Sequence, residues 1–208
     1  MMSELSIEGI LLVVGGYIVG SIPTGVILAR LFSATDIRRE GSGNIGATNV
    51  YRVLGAKLGV ITLVGDVLKG VVPVILTRFF MGDDVWIASV ALSTFLGHLY
   101  PLFLRFRGGK GVATALGIFM VIAPLVTAGA VIVFIVVVMR WKYVSLGSLA
   151  ASASMPLFLG AGGYSMVYGG LSMMIGGLIF YRHGDNIKRL REGLEKKISK
   201  DSKKGSFV

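Results

Sequence analysis

The chain of 208 residues has no cysteine, which excludes disulfides, thiolate-held metals and a thioester acyl-enzyme together. Charge is scarce as well: Asp, Glu, Lys and Arg make up 15% of the residues, against 54% of hydrophobic types. A water-soluble domain of this length could not bury that much apolar surface, so residues 1–208 read as a single integral membrane domain. The first apolar run starts at Ile7 with no basic segment before it, only Glu4 and Glu8 nearby. That argues against a cleaved signal peptide and for a first membrane span. Acidic residues number 11 against 21 Lys and Arg, and what matters is where the basic ones collect.

Apolar runs at residues 7–28, 54–79 and 85–104 each supply the roughly 20 residues that a bilayer crossing needs. Further runs cover 112–139, 143–160 and 164–181. All of the 21 Lys and Arg except Lys69 and Arg78 fall in clusters at 30–57, 105–110, 140–142 and 182–204. The positive-inside rule puts these clusters in the cytoplasm and leaves the acidic N-terminus and "MGDD" at 81–84 outside. If 112–139 were one span, Arg140, Lys142 and the basic tail would lie on the wrong side. The run is therefore expected to turn back at Ala123 and Pro124, where proline ends a helix. The fold expected is an all-α integral membrane protein with about seven transmembrane helices, N-terminus outside and C-terminus cytoplasmic. A five-span topology is the alternative if the two short arms do not cross.

Glycine pairs recur every seven residues at Gly162-Gly163, Gly169-Gly170 and Gly176-Gly177. Seven residues are nearly two helical turns, so the pairs are expected to line one face where a neighbouring backbone comes close. Gly16-x-x-x-Gly20 and Gly55-x-x-x-Gly59 suggest similar contacts. In the basic C-terminal segment 182–208, Ile187, Leu190, Leu194 and Ile198 follow helical spacing, which predicts a short amphipathic helix on an anionic bilayer surface.

Three polar segments break the apolar pattern. "REGSGNIGATNVYR" at 39–52 has G-x-G-x-x-G spacing but neither a preceding strand nor a following crossover helix, so a dinucleotide fold is not indicated. It offers flexible backbone with Ser42, Gly43, Asn44, Thr48, Asn49 and the forked cation Arg52, the parts of an oxyanion or phosphate cradle. "RFRGGKGVAT" at 105–114 is a second basic glycine loop, and it runs straight into an apolar helix. Backbone N–H groups of Gly108, Gly109 and Gly111, the helix dipole and Lys110 would converge there on an anion, with Thr114 close by. Gly111 stands where a Walker A motif needs Ser or Thr, so nucleotide hydrolysis is not indicated. "YRHGDNIKRL" places His183 and Asn186 among cations, and His183 is the best-placed base that titrates near neutral pH. Ser145 and Ser148 could add hydroxyls to the same space. Asp66 and Lys69, one turn apart inside a span, read as a buried ion pair, and His98 as a buried neutral histidine.

Three anion-friendly loops on one face of an apolar protein describe a site for phosphate groups at the boundary of lipid and cytoplasm. "GSGNIGATNVYRVLG", "RFRGGKGVATALG" and "RHGDNIKRLREGLEKK" resemble the signature segments of the bacterial acyl-phosphate-dependent glycerol-3-phosphate acyltransferases, and the likeness extends over almost the whole chain, "GHLYP" included. The resemblance implies transfer of a fatty acyl group from acyl phosphate to the 1-hydroxyl of glycerol 3-phosphate, giving lysophosphatidate and phosphate. It implies Ser42 and Arg52 as essential, the 108–111 loop as a phosphate binder, and Asn186 with Glu192 or Glu195 as needed for activity or integrity. It also implies the inner membrane of a bacterium with the site facing the cytoplasm, no cofactor and no nucleic-acid partner. Its partners would be membrane lipid and an enzyme that supplies acyl phosphate.

The H-x-x-x-x-D motif shared by other glycerol phosphate acyltransferases is missing, since Phe103 follows His98 and Lys188 follows His183 at that spacing. Without that motif or a cysteine, direct attack by the substrate hydroxyl is expected. Ser42, Arg52, Lys110 and backbone N–H groups would position the anions, and His183 or an oxygen of the departing phosphate would take the proton. The rival reading is a multi-span transporter of phosphorylated metabolites. It would favour inverted repeats and charges at the bilayer midplane, whereas here no repeat pairs the two halves and the polar motifs share one side.

Overall fold

The computed structural model describes residues 6–33 and 35–198, so Glu4, Lys200, Lys203 and Lys204 of the charge pattern lie outside the described residues. Every regular element among the described residues is helical. Helix α1 (Ile7–Gly20) begins at Ser6, whose hydroxyl accepts from the Gly9 N–H at 3.0 Å. Helix α2 (Thr24–Ser33) resumes the span after a break at Pro23, which cannot donate to the turn before it. Lys69 satisfies the Ile22 carbonyl at this break from 3.0 Å while pairing with Asp66 at 2.8 Å, so the expected ion pair also holds a helix end. A loop then leads to the short amphipathic helix α3 (Ala47–Leu54), which precedes α4 (Ala56–Phe80). Ile37 and Ile45 of the loop are buried against Val26 of α2 and Val50 of α3, which fixes the loop on the bundle.

Helix α5 (Asp84–Leu99) is capped by Asp83, whose carboxylate accepts from the Val85 and Trp86 N–H groups. A 3-10 turn (Leu102–Leu104) and the second glycine loop lead to α6 (Val112–Ile122) and α7 (Pro124–Trp141). The turn expected at Ala123 and Pro124 is a helix boundary: the Ala123 N–H closes α6 on the Phe119 carbonyl at 2.8 Å, and Pro124 takes the first position of α7. Arg78 caps the end of α6 by donating to the Val121 carbonyl at 2.8 Å. Lys69 and Arg78, the cations outside the basic clusters, therefore each serve an interrupted helix.

Helices α8 (Val144–Ala161), α9 (Met166–Arg182) and α10 (Gly184–Arg191) complete the order. Among the described residues, five stretches are long and apolar enough to cross a membrane: Ile7–Ser33, Ala56–Phe80, Asp84–Leu104, Pro124–Trp141 and Val144–Ala161. Helix α9, at 17 residues, and α6, at 11, are shorter. The main core joins Phe95 and Leu99 of α5 to Ile118 of α6, Leu159 of α8 and Ile175 of α9.

Gly16 and Gly20 do mark a close seam, because a Cβ on Gly20 would overlap the Thr94 carbonyl of α5. A Cβ on Gly59 would lie 2.6 Å from the Cβ of Tyr51 of α3, whereas one on Gly55 would meet nothing within 4 Å. The heptad glycine repeat behaves differently from expectation. A Cβ on Gly169, Gly170 or Gly177 would meet nothing within 4 Å, and one on Gly176 only the Ser152 carbonyl at 3.5 Å. The reason is rotational: α9 turns Leu171, Ile175 and Ile179 into the core and these three glycines elsewhere. The C-terminal segment also needs correction. Helix α10 ends before Gly193, which has a positive φ of 69°. Ile187 and Leu190 pack partly against the protein core, and Leu194 and Ile198 lie exposed on a strap beyond the helix, so the four do not share one helix.

Candidate active site

Asn49 organises the first glycine loop from α3. Its Oδ1 accepts from the Ser42 N–H at 2.7 Å, and its Nδ2 lies 2.9–3.1 Å from the carbonyls of Ile37, Glu40 and Asn44. The residue is 2% exposed and its amide is committed to the loop, so it scaffolds the loop while also lining the cavity. Asn44 Oδ1 takes the Gly46 N–H at 2.8 Å, and the Gly43 N–H closes a turn on the Glu40 carbonyl at 2.9 Å. With the loop folded on itself in this way, Ser42, Asn44, Thr48, Asn49 and Arg52 line a cavity, while Gly43 does not.

The second loop divides in function at Lys110. The Gly108 and Gly109 N–H groups donate to the Leu99 and His98 carbonyls at 3.1 and 3.2 Å, so they are not the free anion donors expected, and neither residue lines the cavity. A Cβ on Gly109 would overlap His98 Nε2, which accounts for glycine at that position. His98 is buried with Nδ1 3.0 Å from Thr114 Oγ1, and Thr114 is thereby held behind the cavity wall instead of facing a ligand. Lys110 and Gly111 do face the cavity. The first backward bond of α6 runs from the Ala115 N–H to the Gly111 carbonyl at 2.7 Å, which leaves the N–H groups of Val112, Ala113 and Thr114 at the positive end of the helix without helical partners. Burial pushes the Lys110 ammonium down to about 8, with the nearby Arg189 and Arg182 charges adding to this and Glu195 and Asp185 opposing it.

The third segment completes the polar wall. Lys110 Nζ donates to Asn186 Oδ1, and Asn186 Nδ2 donates to Glu195 Oε1 at 2.6 Å. Ser145 and Arg189 donate to the same carboxylate, each at 2.8 Å. Burial acts to raise the Glu195 carboxyl, but the hydrogen bonds from Asn186, Ser145 and Arg189 outweigh it and hold the group below its ordinary value. Of the two glutamates the resemblance offered, Glu195 is the one in the network, and Glu192 caps α10 on the surface. Ser148 lines the cavity but gives its hydroxyl to the Val144 carbonyl of its own helix at 2.9 Å. His183 is 3% exposed, with Nδ1 2.8 Å from the Ile179 carbonyl. A carbonyl only accepts, so Nδ1 carries the proton and Nε2 keeps its lone pair. Burial, assisted by the Lys110 charge, lowers His183 to about 4, and it is neutral at pH 7.

Ser42, Asn44, Thr48, Arg52, Lys110, Ser145, Ser148, His183, Asn186, Arg189 and Glu195 open on one cavity of about 800 Å³. Its polar end holds Ser42, Arg52, Lys110, His183 and Asn186, and its far end is apolar, with Leu116 and Phe119 of α6, Phe134 of α7, Met155 of α8 and Ile175 of α9. The strap bearing Glu195 crosses the polar mouth: Arg52 donates to the Lys196 carbonyl at 3.4 Å, and the Ile198 N–H to the Lys142 carbonyl at 2.8 Å. The resemblance offered Glu195 only alongside Glu192, and the contributions of Arg189 and the apolar wall had no local sequence signal, since each depends on segments far apart in the chain.

The family model described as glycerol-3-phosphate acyltransferase matches residues 10–193. The curated glycerol-3-phosphate acyltransferase of Geobacter sulfurreducens is 52% identical over 198 residues, covering 95% of this chain and 99% of that one. The enzyme of the same name from Syntrophotalea carbinolica is 50% identical over 191 residues, covering 90% and 96% of the two chains. Among solved structures, PlsY, an integral membrane glycerol 3-phosphate acyltransferase, superposes in its glycerol 3-phosphate form with a TM-score of 0.90 at 41% identity, covering 92% of this chain and 96% of that one. Its lysophosphatidic acid form gives a TM-score of 0.87 at 40% identity with the same coverage. With likeness over nearly its full length in both sequence and fold, this chain belongs to the glycerol-3-phosphate acyltransferase family.

Proposed function

We propose that this protein transfers a fatty acyl group from acyl phosphate to the 1-hydroxyl of glycerol 3-phosphate, releasing lysophosphatidate and inorganic phosphate. The observation that carries the reading is the two-ended cavity: cationic glycine loops and a helix start at one end, and an apolar recess fit for an acyl chain at the other. Both substrates bear phosphate, and one bears a lipid tail. Arg52 and Lys110, with Ser42 and the first N–H groups of α6, hold the two anions so that hydroxyl and acyl carbonyl meet. The hydroxyl oxygen attacks the carbonyl carbon, the carbon–oxygen bond to phosphate breaks, and the hydroxyl proton passes to the departing phosphate. A phosphate oxygen, whose conjugate acid has a pKa of about 6, is a stronger base than His183 at about 4. His183 Nε2 then serves by accepting a hydrogen bond that orients the hydroxyl. The network of Asn186 and Glu195 holds Lys110 in place.

In this reading the single domain crosses a bacterial inner membrane seven times, with α6 and α7 as separate passes, the N-terminus outside, the C-terminus inside and the cavity mouth on the cytoplasmic side. An enzyme making acyl phosphate would be its supplier. The test uses purified protein given acyl phosphate and glycerol 3-phosphate. Equal amounts of lysophosphatidate and phosphate are expected, with acyl-CoA inactive as donor. Turnover with acyl-CoA and none with acyl phosphate would refute the donor assignment.

A further inference from the structure

Arg182, the last residue of α9, has so far entered only through its charge near Lys110. Its Nη2 donates to the Gly108 carbonyl at 2.7 Å and its Nε to the Gly109 carbonyl at 3.1 Å, so one guanidinium holds two successive carbonyls of the second glycine loop. The Tyr100 ring lies under it, 6.0 Å from the guanidinium carbon. On the opposite side, the Gly108 and Gly109 N–H groups donate to the carbonyls of Leu99 and His98 at the C-terminal end of α5.

Peptide planarity ties the direction of each N–H to the carbonyl before it. The carbonyl of one residue and the N–H of the next lie in one plane and point in opposite directions. With the Gly108 carbonyl on Arg182, the Gly109 N–H must point away from it, and it does so toward the His98 carbonyl at 3.2 Å. With the Gly109 carbonyl on Arg182, the Lys110 N–H must likewise point away, and among the described residues no backbone partner takes it. Lys110 lines the cavity.

We infer that Arg182 is a positioning residue that sets the direction of the Lys110 peptide, so that its N–H, together with the first N–H groups of α6, faces the bound phosphate. A glycine pair can flip either peptide, and a flipped Gly109–Lys110 unit would present a carbonyl to an anion. Arg182 suppresses that flip with a two-armed hold on adjacent carbonyls that a single ammonium cannot reproduce. Arg182 directly precedes His183, so the same helix end that carries the imidazole also orients the loop facing it. The inference rests on the proposed reading only in taking the loop's ligand to be a phosphate.

The test compares wild type, Arg182→Gln and Arg182→Lys as full-length protein in detergent. It reads KM and kcat for each substrate, and the rise in melting midpoint produced by inorganic phosphate and by glycerol 3-phosphate, which needs no turnover. Either variant should raise KM for one phosphate substrate by about tenfold or more and shrink the matching phosphate-induced shift, while kcat at saturation and the ligand-free midpoint stay near wild type. Arg182→Lys keeps the charge near Tyr100, and it is expected to insert normally and show the same KM rise even if Arg182→Gln does not accumulate. Wild-type KM and phosphate response in Arg182→Lys would overturn the inference, as would a lowered ligand-free midpoint with unchanged KM. If wild type itself fails to use acyl phosphate, the donor assignment fails, while the phosphate-induced shifts still decide the role of Arg182.

Discussion

If the polar end of the cavity takes phosphate as proposed, titrating Lys110 perturbs that binding most directly. Its ammonium is lowered from an ordinary 10.5 to about 8, chiefly by burial. At about 1.4 kcal/mol per pH unit, the empty site disfavours the charged form by about 3 kcal/mol. A phosphate dianion bound beside it supplies the missing counter-charge, so the ammonium should hold its proton to higher pH in the complex. The protonated form therefore binds phosphate, and binding is lost as pH rises through about 8 in the free enzyme. By pH 9 only about a tenth of the free enzyme carries the charge, so kcat/KM should fall about tenfold per pH unit above 8, while kcat at saturation stays flat further into the alkaline range. Initial rates from pH 6 to 10 measure both parameters. Lys110→Arg supplies the control, because arginine stays protonated throughout; kcat/KM should be lower at neutral pH but free of the alkaline fall. A wild-type profile flat to pH 9.5, or a Lys110→Arg profile that falls with the same midpoint, would refute the reasoning.

Arg52→Lys keeps the charge but loses the fork that can hold two oxygens; if that geometry aligns hydroxyl and carbonyl, kcat falls on the order of a hundredfold, whereas Lys110→Ala raises KM for one substrate, and steady-state kinetics with each substrate varied separates the two. Gly20→Ala drives a Cβ into the Thr94 carbonyl and should lower the melting midpoint, while Gly170→Ala, with nothing within 4 Å, should leave it within about 1 °C of wild type; equal effects would contradict the packing described for α1 and α9. Single cysteines in this cysteine-free chain test topology: Trp141→Cys should react with a membrane-impermeant thiol reagent only from the cytoplasmic side, and Asp83→Cys and Gly162→Cys only from outside. External labelling at 141 would rule out α6 and α7 as separate crossings.

The sequence by itself determined the class of the protein, the glycine loops as the candidate site, and the helix boundary at Pro124. Each is a local property, readable from the length of apolar runs, the sorting of charge, and the inability of proline to continue a helix. Only the tertiary structure decided which polar atoms remain available to a ligand. Asn49, Gly109 and Thr114 sit in the right segments, yet their hydrogen-bonding groups are spent on the loop carbonyls, the end of α5 and His98. Charge pattern marked Lys69 and Arg78 only as exceptions; their partners, the Ile22 and Val121 carbonyls, come from segments distant in the chain. The glycine repeat shows the same limit, because seven-residue spacing places glycines on one face but cannot say which face of α9 meets the core. Glu195 became the anchor of the site for a comparable reason: a residue beyond the last helix reaches Ser145 and Asn186 only when the strap folds back across the mouth. Buried donors and acceptors must all be satisfied, and which pairs meet depends on how the helices are assembled, not on spacing along the chain.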